Sequence, residues 1–210
     1  MHIVDGVLSA PVLIGGSLLA VAGLALGLRT MDADQIPRVA LLTATFFVAS
    51  LVHIPIGPSS VHLALTGLMG ILMGWSVFPA VFVGLGLQAV FFGYGGLTVL
   101  GVNTLIMAAP AVLVGQVFRA APQRLRNGHV GLWGFSAGML AIAGSTLLLG
   151  LALVLSGREF ISAAKLAFLG HSPLMLVEGV VTASAVVLLQ RVMPELWLRQ
   201  TPGPTGDISQ

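Results

Sequence analysis

VLSAPVLIGGSLLAVAGLALGLRTMDADQIPR (residues 7–38) contains no charged side chain until Arg29, then turns abruptly polar. Its first 22 residues, Val7 to Leu28, are mostly apolar, with Pro11 near the start, where a helix tolerates it. A membrane-spanning helix needs about 20 such residues. The polar RTMDADQIPR (29–38) ends the run. A cleaved signal peptide would carry its positive charge before the apolar stretch. Here the charge follows it, so the reading is a retained first span.

Composition extends this reading to the whole chain. The 210 residues are 57% hydrophobic and 8% charged, with a mean hydropathy of +1.03. Soluble domains carry about 25% charged residues. A water-soluble fold has no means of hiding this much apolar surface, so the protein is expected to be an all-α, polytopic membrane protein in contact with lipid. The pI near 9.9 corresponds to a net charge of only +2. No basic patch interleaves with aromatics, which argues against nucleic acid as a partner. Cysteine is absent, excluding disulfides, iron–sulfur clusters and thiolate metal sites but saying nothing of compartment.

Six further apolar runs follow, at about 39–54, 61–75, 77–92, 102–118, 130–156 and 173–190. The third to fifth spans blur together, so six or eight crossings fit as well as seven. With the N-terminus outside, the inner loops and tail hold Arg29, Arg38, Arg119, Arg124, Arg126, Arg191 and Arg199, seven of the nine basic residues. Only Arg158 and Lys165 fall outside. By the positive-inside rule the C-terminus is then cytoplasmic. Residues 1–190 form one transmembrane domain. Residues 191–210 form a cytoplasmic tail, expected to be partly disordered because QTPGPTGDISQ (200–210) is rich in Pro, Gly and polar residues. GLALG (23–27), GILMG (70–74) and GFSAG (134–138) are GxxxG matches. They mark close helix packing or a partner interface.

Of five histidines, this topology puts His2, His53 and His62 near the outer face, with His171 not far from it and His129 inside. A histidine at a helix end is commonly just an interfacial hydrogen-bonding group. His2 differs because it adjoins a free α-amine, whose pKa of about 7.7–8 leaves a neutral donor nitrogen near physiological pH. The amine, the His2 amide nitrogen once deprotonated and the His2 imidazole offer three nearly coplanar nitrogens. The bulk of His2 disfavours methionine removal, so Met1 supplies the amine. A fourth nitrogen would complete a square suited to Ni(II) or Cu(II), and cobalt accepts other geometries. VHIPIGPSSVHLALTG (52–67) offers His53 and His62. His62 reads as opening a helix after a proline–glycine turn, with Ser59 and Ser60 as caps. It is preferred as the fourth ligand, with His53 as a neighbour.

These segments resemble a known family. MHIVDGVLS (1–9), VHIPIGPSSVHLALTGLMG (52–70), FGYGGLTVLGVNT (92–104) and MAAP (107–110) are similar to the CbiM/NikM family. Its members are the substrate-capturing membrane (S) components of energy-coupling factor ABC importers for cobalt and nickel. The resemblance covers roughly residues 1–118, and the N-terminal MHI-x-(D/E)-G pattern and SVHL are its most specific parts. It implies a metal held by the Met1 amine, the amide and imidazole of His2, and the imidazole of His62. It also implies seven helices with the N-terminal segment inserted among them. The implied partners are a transmembrane coupling (T) subunit, two ATPase (A) subunits and a small accessory membrane subunit.

Around that centre, Asn103, Asp5, His53 and Ser60 are candidates to hold ligands in place. Asp5 reads equally well as an exposed carboxylate ahead of the first helix. The glycines of GYGGLTVLG (93–101) are not a nucleotide loop, since no GxxxxGK[ST] occurs. They form a flexible loop or a lid. Gln88, Gln116 and Glu178 lie in apolar runs as interhelical links. The chain carries no ATPase motif of that type and no acid/base or nucleophile set, so it reads as a transporter subunit, not an enzyme. The cargo is Co2+ or Ni2+, a substrate and not a cofactor. The rival reading, an ion-gradient-driven metal transporter, would lean on Glu178, the single acid in a late apolar run.

Overall fold

The computed structural model describes residues 3–51, 53–56, 59–121 and 128–193, with the backbone alone at 53–56 and 59–61. Five helical stretches are long and apolar enough to cross a membrane: Ala10–Arg29, Thr66–Phe92, Leu100–Ala120, Val130–Ser156 and Arg158–Val192. The first is α1. The α2 helix, Ile36–Ala49, has only 14 residues, about 21 Å of rise against a hydrocarbon core of about 30 Å. Then comes a hairpin, β1 (His53–Ile56) paired antiparallel with β2 (Ser59–His62). The remaining helices are α3 (Thr66–Met73), α4 (Val77–Phe92), α5 (Leu100–Ala120), α6 (Val130–Ser156) and α7 (Ile161–Val192). The protein is an α-helical membrane protein, and a crossing number of seven is approximate. The expected tail, 191–210, lies outside the described residues from residue 194 onward.

The Thr66–Phe92 stretch is bent. At Gly74 the backbone turns to φ 58°, and a single 3-10 turn follows. Gly74 lies against the guanidinium of Arg119, at the C-terminal end of α5. Beyond the bend, Gly84 meets Phe46 late in α2, and Gln88 donates to Ser50 at its C-cap. So α3 carries the chain toward the end of the bundle marked by Arg119, and α4 returns from it. We call this the arginine end: Arg29 closes α1, Arg38 opens α2, Arg119 closes α5 and Arg191 closes α7. The opposite, amino-terminal end gathers Asp5, the 93–99 loop and Ser9, whose amide donates to Ser156 Oγ at the end of α6.

All eight residues of α3 are buried, and small residues allow this. A Cβ on Gly70 would lie 2.0 Å from the Ala111 oxygen, and one on Gly67 would lie 2.6 Å from Gly138 Cα. Lipid tails are as apolar as leucine, so helices associate through close backbone approach and interhelical polar contacts. The three GxxxG matches all serve this internal packing: Gly23 faces Phe78, Gly27 faces Trp75 and Pro79, Gly134 faces Ala183, and Gly138 faces Glu178 and Thr182. Large side chains such as Leu18, Val90 and Leu147 point outward.

The structure corrects two boundaries. The last helix begins at Ile161 instead of residue 173 and holds Pro173 in its interior. Residues 59–62 were expected to cap and begin a helix, with a span from residue 61. They are instead a strand, and helix starts only at Thr66. The cause is nonlocal, because Ser59–His62 finds its backbone partners on His53–Ile56, an option that reading forward along the chain does not reveal.

Candidate metal centre

Met1 and His2, the two residues expected to chelate, lie outside the described residues. The next residue shows where their chain leads. Ile3 is fully buried. Its N–H donates to Asn103 Oδ1 at 2.8 Å, and Asn103 Nδ2 donates back to the Ile3 carbonyl at 2.9 Å. Asn103, itself 2% exposed, thus satisfies both backbone polar groups of Ile3. An extended segment inside a membrane bundle must satisfy its amides with protein groups, because lipid offers none. The sequence singled out Asn103 as a hydrogen-bonding residue, and its partner is the backbone next to the expected chelate.

Asp5 is tied down at the amino-terminal end. Its N–H donates to the Gly95 carbonyl at 3.1 Å. Its Oδ1 accepts from Thr98 Oγ1 at 2.5 Å and from the Val99 amide at 3.3 Å. A Cβ on Gly96, whose φ is +144°, would fall 2.0 Å from the Asp5 carboxyl carbon. The glycine-rich loop therefore lets the N-terminal segment lie directly on it. An acidic group beside the first turn of α5 also complements the helix dipole.

His62 ends β2 and is 2% exposed. Its Nδ1 lies 3.2 Å from the Leu63 carbonyl. A proton on Nδ1 donates there and leaves the lone pair on Nε2, the tautomer in which a backbone carbonyl orients a metal-binding ring. Burial pushes the His62 pKa down to about 4. The Leu63 contact opposes the shift and nearby His171 adds to it. The ring is therefore neutral at physiological pH, the form that binds a metal. His53 stands directly opposite His62 in the hairpin register, and Ser60 stands opposite Pro55. The side chains of His53 and Ser60 lie outside the described set, so the choice between His53 and His62 rests on the burial and tautomer of His62.

Behind His62 the chain enters the bundle without regular structure and reaches Leu65 in the left-handed region, φ 54°. That conformation costs on the order of 1 kcal/mol or more for a non-glycine residue. It is held by Glu178, whose Oε1 accepts from the Ala64 N–H at 2.5 Å and the Leu65 N–H at 2.8 Å. The sequence placed Glu178 as an interhelical link; in the structure it links a helix to a broken backbone. His171, one face of α7 shared with Glu178 seven residues on, is fully buried beside His62. No local signal tied it to His62, because the two are 109 residues apart by number (171 − 62). At the far end of α3, Arg38 Nη2 donates to the Leu72 carbonyl, and Arg119 Nη1 donates to Gly70 and Ile71 at 3.2 and 3.3 Å. These cations meet the negative end of the α3 dipole.

A bundle of apolar helices that buries a neutral histidine beside an internal chain break has the form of a multi-pass membrane transport protein. The chain belongs to the CbiM family, described as the cobalt uptake substrate-specific transmembrane region, whose model matches residues 2–196. It is 39% identical to a Haemophilus influenzae protein named for metal transport, over 95% of this chain and 98% of that one. It is 34% identical to the fused nickel transport protein NikMN of Rhodobacter capsulatus, over 93% of this chain and 63% of that longer one. It is 32% identical to the cobalt transport protein CbiM of Sorangium cellulosum, over 93% and 94%. A solved structure described as a transition metal transporter superposes with a TM-score of 0.80 at 25% identity, covering 91% of this chain and 93% of the other. The protein is accordingly a membrane component of cobalt or nickel transport, and the metal is its transported substrate.

Proposed function

We propose that this chain is the substrate-specific subunit of an energy-coupling factor importer. It captures Co2+ or Ni2+ at the amino-terminal end of the bundle and delivers it inward with ATP hydrolysed by partner subunits. The metal is held by the Met1 amine, the amide and imidazole of His2, and Nε2 of His62. The observation that carries this reading is the burial of Ile3 in the two-bonded grip of Asn103. Consecutive Cα atoms are 3.8 Å apart, so Met1 and His2 lie within about 8 Å of the Ile3 Cα. Four nitrogens favour a square arrangement, to which nickel is well suited, while the family includes proteins named for both metals.

The arginine end faces the cytoplasm in this proposal, as the positive-inside rule requires of Arg29, Arg38, Arg119 and Arg191. The amino-terminal end faces outward across a prokaryotic cell membrane. The partners are a transmembrane coupling subunit, two ATPase subunits and a small accessory membrane subunit.

The test is one added residue before Met1. It separates the amine from the His2 ring and is expected to abolish Ni2+ binding by the purified protein, read by isothermal titration and by d–d absorption. An extended protein that binds with unchanged affinity overturns the chelate. His62→Ala is expected to weaken binding more than His53→Ala, and the reverse order reassigns the fourth nitrogen.

A further inference from the structure

One oxygen of Glu178 holds the chain break open; the other has no such task. Glu178 is fully buried, and its Oε2 has no hydrogen-bond partner among the described residues. Thr66 Oγ1 and Thr182 Oγ1 share that condition, and both residues are likewise 0% exposed. The three residues are neighbours. Thr66 follows Leu65, which bonds Glu178, and Thr182 lies one turn beyond Glu178 on the same face of α7. Gly138 closes the group from α6: a Cβ there would sit 2.7 Å from Thr182 Oγ1 and 2.5 Å from the Glu178 carbonyl.

Hydroxyls inside helices usually donate to the carbonyl four residues back. Thr43, Thr104, Thr146 and Ser184 all do so here, at 2.8 Å. Thr182 does not, so its oxygen stays available on the face of α7 it shares with Glu178. A buried carboxylate oxygen with no donor costs several kcal/mol. A cation among three oxygens removes that cost.

We propose that Glu178, with the hydroxyls of Thr66 and Thr182, forms a second, oxygen-lined station for the transported divalent cation, deeper in the bundle than His62. The proposal rests on the transport reading above. Glu178 lies seven residues beyond His171 along α7, about 10 Å closer to the arginine end. Oxygen donors hold cobalt and nickel less firmly than a nitrogen square. The positive end of the α3 dipole weakens the station further. Weak binding suits an ion that must leave again. Gln at position 178 would still accept both amides but would remove the charge, so Glu178→Gln separates holding the chain from holding a cation.

The experiment uses Mn2+, which favours oxygen ligands and is visible by electron paramagnetic resonance. The full-length purified His62→Ala protein, lacking the outer imidazole, is expected to retain one weak Mn2+ site. His62→Ala/Glu178→Gln is expected to bind Mn2+ at least tenfold more weakly. His62→Ala/Thr182→Val, which keeps the carboxylate and its amide contacts, is expected to bind severalfold more weakly and serves if the glutamine variant does not fold. Identical Mn2+ titrations for the parent and the folded double variants overturn the second station. Failure of the outer site reports separately, as absence of Ni2+ absorption in the wild-type protein.

Discussion

Two stretches of non-helical backbone enter this bundle, and each is gripped by a buried polar side chain. At the amino terminus Asn103 grips Ile3 with one donor and one acceptor. Behind His62, Glu178 grips Ala64 and Leu65 with one oxygen that accepts twice. The amide is neutral and both its polar atoms are engaged. The carboxyl group can carry a charge, and half of it is idle. A tether needs only what Asn103 offers, since a neutral group is cheaper to bury than an ion. That contrast is why the amide reads as an anchor and the carboxylate as an anchor with a second use.

Substitutions can break the comparison. The largest loss is expected from Glu178→Ala, which leaves two buried N–H groups without an acceptor and releases the strained Leu65. At about 1–3 kcal/mol per orphaned group, the apparent Tm in detergent should fall by roughly 10 °C. A shift under 2 °C would mean that water replaces the carboxylate. Asn103→Ala comes next, with a stability loss of about 2 kcal/mol. Because it frees the segment bearing the proposed ligands, Ni2+ affinity should fall about 10- to 100-fold. Unchanged affinity would show that Ile3 does not position the chelate. Asp5→Asn is expected to cost less than about 1 kcal/mol, since its contacts lie at an exposed end; thermal unfolding reads the difference.

A pH series sharpens the contrast without mutation. His62 stays neutral down to about pH 4, so acidification above that value acts on the Met1 amine and on the amide and imidazole of His2. Ni2+ affinity should fall at least tenfold per unit below about pH 7.7. In the metal-free protein an NMR pH titration should show no step for His62 near its ordinary value of about 6.5, and one there would show that His62 titrates as if exposed. For stability the sign is the same. Between pH 6.5 and about 4 the unfolded chain binds a proton at His62 that the folded chain refuses, so stability falls as acid is added.

The candidate centre was legible to different depths. His62 and Asn103 stand out in sequence because polar residues in an apolar chain are few. The hairpin did not, because a four-residue segment is too short to show a period that separates strand from helix. The inference that Ser59 and Ser60 cap a helix failed for that reason. Glu178 was visible as an oddity, but its partners are 113 and 114 positions away. The same holds for Arg38 and Arg119, which appear in sequence only as topology signals and in the structure cap α3.

The amino-acid sequence alone determined that this chain lives in a membrane, roughly where its helices run, and which few polar side chains need a purpose. Hydropathy does this because transfer from water acts on each residue locally. Tertiary structure alone decided that α3 is a buried half-length helix, that Ile3 is clamped, and that Glu178 faces a chain break. Those outcomes depend on glycine-lined contacts and hydrogen bonds between distant segments, whose energies exist only once the helices have come together.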